Sequence, residues 1–299
     1  MSSTILVLGN TAEGAILASY FKNKGFSPLL LGRKRDQKPF TRLEAWGRSD
    51  SIEVQALPQI EIFHARAAIV TVQSFDMIGI IARHIHYLPA QIPILCLTHG
   101  GMERALIQFA AGYPQFSWRI GTCEHDLQEL IPGFFQSATS NFRVLWGPLL
   151  PDQPQTQIES EWETHDPTFF FWNPQIVRDQ RIRWLYELII GSLTAAWQIK
   201  TCGELLNRMD LLAGVFAEGY QLGKEWWPEW GYSEDKLYEG LISQISKRAN
   251  LPSPMYVQTS KKQKTENQVF AGVASTKYPL LYELAHRIEA MPHMYHMGG

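Results

Sequence analysis

The stretch ILVLGNTAEGAIL, residues 5–17, constrains the fold more than any other. An aliphatic run stops at Gly9 and a second apolar run resumes after Gly14, the outline of a strand, a glycine turn and a helix. In a dinucleotide-binding turn of the form G-x-G-x-x-G, the first glycine permits the bend and the second lets the backbone approach a pyrophosphate. The third lets helix and strand pack closely. Gly9 and Gly14 keep the first and third roles. Thr11 stands at the second, adding a Cβ where close approach is wanted, although its hydroxyl is itself able to donate to phosphate. Glu13 falls in the first helical turn, where a carboxylate suits the helix dipole but competes with a phosphate for the same positive end. Two readings stay open from this motif: a working cofactor site that includes Gly9, Asn10, Thr11 and Gly14, or a fold that has kept the turn and lost the cofactor.

Downstream, short apolar runs alternate with helical stretches. SPLLLGRKR, AAIVTVQS (67–74), IPILCLTHGG (92–101) and FRVLWGPLL (142–150) read as strands. Near-continuous apolar strands separated by helices predict a doubly wound parallel sheet covered on both faces. The second strand ends in Gly32, Arg33, Lys34 and Arg35, where an acid would bind the ribose hydroxyls of NAD. Guanidinium forks there suit the 2′-phosphate of NADP, and the alternative is a solvated basic turn. PDQPQTQIESEWETHDP (151–167), polar and proline-bearing, reads as a loop or linker near a domain boundary.

From about residue 176 the periodicity becomes helical over four long segments, so the second half reads as an all-helical domain. The chain is 299 residues, 45% hydrophobic, with a formal net charge of -2. That length fits two domains, and that charge argues against a nucleic-acid face. No apolar run is long enough for a bilayer and no basic leader precedes the first strand, which leaves a reducing cytoplasm as the expected setting. Cys96, Cys123 and Cys202 are too scattered for a disulfide framework. His84 and His86 point apart on a helix, His293 and His296 lie in a loose tail, and no metal quartet is evident. KEWWPEWGY reads as helix packing, a dimer contact or an aromatic pocket wall. SKKQKTEN reads as a solvated loop leading to Glu266.

With these segments in view, the chain resembles the ketopantoate reductases, whose Rossmann domain is followed by a helical one. The resemblance rests on five motifs in order: the glycine turn with LLLGRKR, then IVTVQS, LTHGGMERAL, IIGSLTAAW and SPMYVQTSKKQKTENQVFAG. It implies NADPH-dependent reduction of a 2-oxo acid, with a lysine polarising the carbonyl, two asparagines binding substrate, and a glutamate and serine completing the site. Carried across, the lysine position falls on Arg183 and the asparagine positions on Glu187 and Gly191, all on one helix face. Gln73 replaces a strand-end lysine, His99 an asparagine, Pro254 the serine and Gln258 an aspartate, while Glu266 is unchanged. Arginine polarises or clamps but protonates poorly. Glu187 at i+4 would pair with Arg183 and repel an anionic substrate. His99, at the end of an apolar strand before two glycines, is a candidate general acid or a histidine merely bonded at a loop start.

The expectation is therefore a Rossmann-like NADP-binding domain over 1–165 and a helical substrate or dimerisation domain over 166–299, with the ligand cleft between them. The leading function is NADP-dependent reduction of a 2-oxo acid or related carbonyl other than ketopantoate. Arg183, His99 and Glu266 would be catalytic, Arg33, Arg35 and Gln73 would join the glycine turn at the cofactor, and Glu187 and Gly191 would meet substrate. The rivals are a catalytically inactive descendant that binds a ligand or partner and a sensor that keeps NADP without catalysis.

Overall fold

In the computed structural model, residues 3–32, 40–45, 48–55, 64–125, 128–131, 133–137, 142–166 and 168–291 are described. The chain divides into two compact units, one of Met1–Thr98 with Met102–Arg178, the other of His99–Gly101 with Asp179–Gly299.

The first unit is built on strands β1 (Thr4–Leu8), β2 (Ser27–Leu31), β3 (Phe40–Ala45), β4 (Arg48–Gln55), β5 (Ala65–Val70), β6 (Pro93–Leu97), β7 (Ser117–Glu124), β8 (Gln128–Ile131), β9 (Phe134–Gln136), β10 (Arg143–Pro148) and β11 (Phe170–Trp172). Their order in the sheet is β11-β10-β7-β6-β5-β1-β2-β4-β3-β9-β8. From β7 through β6, β5, β1 and β2 to β4 every pairing is parallel, the doubly wound core that the apolar runs predict. The order reverses at β1 and β5, the switch point at whose carboxyl end open α/β sheets bind ligands. Antiparallel pairs, β10 on β7 and β3 on β4, extend this core into a mixed sheet. Helices α1 (Ala12–Asn23), α2 (Ser74–His84) and α3 (Glu103–Ala111) follow β1, β5 and β6.

The stretch read as a linker is a helix, α4 (Gln157–His165). Thr156 and Glu159 form a capping box at its start, a T-x-x-E signal outweighed in the sequence by the flanking prolines and polar residues. Glu159 is fully buried and bidentate on the equally buried Arg119 of β7, at 2.6 and 3.0 Å. Ile158 and Trp162 enter the apolar core of this unit beside Phe21, Trp146 and Phe170.

The second unit contains α5 (Ile176–Ala196), which begins in the first, then α6 (Met209–Trp226), α7 (Glu234–Lys247), α8 (Pro254–Ser260) and α9 (Pro279–Glu289). It is helical, as the periodicity predicts, with short 3-10 turns between helices. α8 is too short to announce itself by periodicity and starts from a capping serine, Ser253, followed by proline at N1. The tryptophan-rich segment packs inside this unit: Trp227 stacks on Trp230 at 5.2 Å, and Trp184 of α5 lies 5.1 Å from both Trp226 and Trp227. Among the described residues no helix is long and apolar enough to cross a membrane.

Candidate active site

The corner between β1 and α1 is sterically fixed. Gly9 has φ +130°, and a Cβ there would stand 2.7 Å from Thr71 Oγ1. A Cβ on Gly14 would stand 2.0 Å from the Gly9 carbonyl oxygen. Both glycines are therefore required by backbone geometry, whatever binds outside. Thr11 adopts extended φ and ψ, so its position does not demand glycine. Its hydroxyl caps α1 by accepting from the Gly14 N–H at 3.2 Å and donates to the Thr71 carbonyl at 3.1 Å. The phosphate-donor role considered for that hydroxyl thus competes with two bonds that hold the corner. Asn10 Oδ1 accepts from Thr41 Oγ1 at 2.6 Å.

Glu13 is not an isolated charge at the helix start. His125 Nε2 lies 3.1 Å from its carboxylate, and both side chains are largely buried. Gln73, the first residue flanking α2, is exposed and makes no side-chain capping bond. Arg33, Lys34 and Arg35 lie outside the described residues, as do His293 and His296. The corner fits the pyrophosphate of a dinucleotide in its backbone: two glycines close the turn, and the N-terminus of α1 supplies the positive end of a helix dipole. Glu13 opposes an anion there, and its carboxylate lies against His125.

The second unit brings together most of the other residues singled out in the sequence. Gly100 and Gly101 have φ of +102° and +80°, and added Cβ atoms would lie 2.8 Å from the Trp184 amide nitrogen and 2.6 Å from the Trp184 ring. This close approach seats the His99 loop directly on α5. His99 Nδ1 then lies 3.4 Å from Arg183 Nη2. A guanidinium only donates, so Nδ1 accepts, and a neutral His99 carries its proton on Nε2. Trp184 anchors the other side through its indole N–H, which donates to the Val269 carbonyl at 2.9 Å.

His99, Glu187, Gly191 and Glu266 line one solvent-open cleft together with Pro254, Met255, Gln258 and Phe270. The i, i+4, i+8 spacing of Arg183, Glu187 and Gly191 is the reason one helix serves all three points. Gly191 is the floor, and a Cβ there would meet the Met255 methyl at 3.4 Å. The side-chain volume that an asparagine would occupy is thus taken by methionine. Ser253, one residue before the expected serine position, is buried and bonded to Thr194 Oγ1 at 2.5 Å. Glu266 is buried at the turn after the exposed lysines 261, 262 and 264.

Glu187 does not form the expected ion pair with Arg183. Its Oε1 accepts from Arg248 Nη1 at 2.8 Å, and Arg248 is the C-terminal flank of α7. Burial by itself would push the Glu187 carboxyl up, but Arg248, with Arg183 and His99 nearby, outweighs this and holds it below the usual carboxylate value. Arg248 is the residue sequence reading missed. It sits among ordinary surface charges in SKRAN, and only the packing of α7 turns it toward α5.

No family model matches the sequence, and no curated protein matches it. Solved structures do. The probable 2-dehydropantoate 2-reductase PanE of Bacillus subtilis is 17% identical, with a TM-score of 0.74, over 96% of this chain and 99% of that one. A PanE/ApbA family ketopantoate reductase of Ralstonia eutropha JMP134 is 12% identical, with a TM-score of 0.79, over 97% and 98%. D-mandelate dehydrogenase, in a ternary structure with NADH and anilino(oxo)acetate, is 14% identical, with a TM-score of 0.77, over 97% and 98%. The chain therefore has the fold of these ketopantoate reductases along almost its whole length, at identities of 12–17%.

Proposed function

We propose that this chain is a divergent ketopantoate-reductase-type oxidoreductase that reduces a 2-oxo acid or related carbonyl other than ketopantoate with NADPH. The observation that carries the reading is the convergence of His99, Glu187, Gly191 and Glu266 on one cleft, with Arg183 against His99. In the proposed division of labour, the first unit binds cofactor at the glycine corner, with Gln73, Arg33 and Arg35 contributing. The helical unit binds substrate. The solved structure of a similarly folded D-mandelate dehydrogenase with NADH and anilino(oxo)acetate supports an oxo-acid reductase of this kind.

The glycine corner, with Gln73, Arg33 and Arg35, would hold the cofactor, whose chemistry there would be hydride donation to the carbonyl carbon. His99 hydrogen-bonds the carbonyl oxygen through its Nε2–H and stabilises the developing alkoxide, which takes its proton from water in the open cleft, while Arg183, behind His99, holds that tautomer and attracts the substrate carboxylate. Glu266 contacts the substrate, and Glu187 does so while its charge is balanced by Arg248. Ketopantoate fits poorly because the asparagine positions of the family are a carboxylate and a methionine-filled glycine here.

The test follows NADPH oxidation with a panel of 2-oxo acids. Turnover of some members is expected, with ketopantoate poor, and His99→Gln is expected to lower kcat by about 10²-fold or more. Efficient ketopantoate turnover contradicts the substrate assignment. An inactive, ligand-binding descendant is favoured instead by the internal bonds of Asn10 and Thr11 and the carboxylate of Glu13 at the corner. Absence of NADPH binding at millimolar concentration would contradict the NADPH-dependent reading.

A further inference from the structure

The charge arrangement of the cleft narrows the substrate, provided the cleft is the oxo-acid site proposed above. Two carboxylates, Glu187 and Glu266, line it, and no lysine or arginine does among the described residues. The two cations stand behind the lining, Arg248 on Glu187 and Arg183 on His99. Only one Glu187 oxygen is engaged: Oε1 accepts from Arg248, and Oε2 has no hydrogen-bond partner among the described residues. Arg183 makes no direct ion pair with a carboxylate among the described residues, although its charge acts on Glu187, and its guanidinium meets His99. Arg183 stands behind His99, so its charge draws a ligand carboxylate to the His99 end of the cleft, and one helical turn along α5 from Arg183, about 6 Å of rise, Glu187 offers an open acceptor. A monoanion drawn to the His99 end would have the Glu187 and Glu266 carboxylates as its charged neighbours in the lining. A charged donor at Glu187 turns that repulsion into a charge-assisted hydrogen bond.

We propose that the cleft takes a zwitterionic 2-oxo acid, one bearing an ammonium group about a helical turn from its carboxylate, and that Glu187 is the residue that selects it. Arg248 fixes the orientation of Glu187 without occupying its second oxygen. Pro254, Met255 and Phe270 provide an apolar wall for the carbon chain between the charged ends.

The test uses simple probes and needs no cofactor. The purified full chain is titrated by calorimetry with 4-aminobutanoate, 4-hydroxybutanoate and butanoate, whose carbon chains are equal. The zwitterion is expected to bind about tenfold or more tighter than the other two, a difference of about 1.4 kcal/mol. Glu187→Gln is expected to abolish that preference while circular dichroism shows an unchanged fold. Equal binding of the three probes overturns the proposal, as does preference for the hydroxy acid, no binding of 4-aminobutanoate at tens of millimolar, or a preference that survives Glu187→Gln. If the variant fails to fold, the ranking on the native chain decides. NADPH-driven turnover of uncharged 2-oxo acids without a probe preference removes this inference and leaves the proposed reaction. A Glu187-dependent preference without NADPH oxidation keeps the ligand and removes the reaction.

Discussion

The glycine corner of the first unit and the cleft of the second preserve different things. At the corner the glycines that remain are those whose replacement would collide with their surroundings: Gly14 with the Gly9 carbonyl, and Gly9, at φ +130°, with the Thr71 hydroxyl. Thr11, at extended φ and ψ, stands where a side chain is tolerated, and it caps the helix. In the cleft the backbone devices are likewise kept, in Gly100 and Gly101 against α5, but nearly every side chain that would do chemistry differs from the resembled family. Steric constraints hold a fold through divergence, whereas side chains projecting into solvent-open space answer only to the ligand.

That contrast can be broken by substitution. The largest effect is expected from Gly14→Ala, whose new methyl has a backbone carbonyl 2.0 Å away. A loss of about 3 kcal/mol, the upper end of overpacking costs, should appear in urea denaturation. Next comes Arg248→Met, which leaves the largely buried Glu187 without its cation. About 2 kcal/mol is expected, between the exposed and fully buried limits for ion pairs. Because the folded Glu187 carboxyl lies below its ordinary value of 4.5, the pair stabilises fully above about pH 4.5. Its contribution is lost as pH falls through the lower folded value. Glu187→Gln should therefore flatten the acid limb of the stability curve. Thr11→Ala removes a helix cap and should cost about 1 kcal/mol by thermal denaturation. Gly191→Ala should cost the least, under about 1 kcal/mol, because its methyl meets the flexible end of Met255. A large loss there would mean that the cleft is as sterically fixed as the corner.

Much of the fold is legible in the sequence because its signals are local. The apolar runs of β1, β2, β5 and β6 and the periodicity of α5, α6, α7 and α9 all match observed elements. The α4 helix was hidden by prolines and polar residues around a short capping box, and the hairpin of β3 and β4 has no strong apolar run. At the site, spacing on α5 placed Arg183, Glu187 and Gly191 on one face, and motif order brought His99 and Glu266 to them. The partner of Glu187 was not legible, because Arg248 lies 61 residues away and reaches it only through helix packing. The pairing of Glu13 with His125, 112 residues apart, was hidden for the same reason.

The most direct measurement is a fluorescence titration of the purified chain with NADPH and NADH, using energy transfer from its ten tryptophans. Saturable binding, tighter for NADPH and weakened toward the NADH level by Arg33→Ala, is the predicted result. Absence of NADPH binding at millimolar concentration would contradict the assignment of this fold to NADP-dependent reduction.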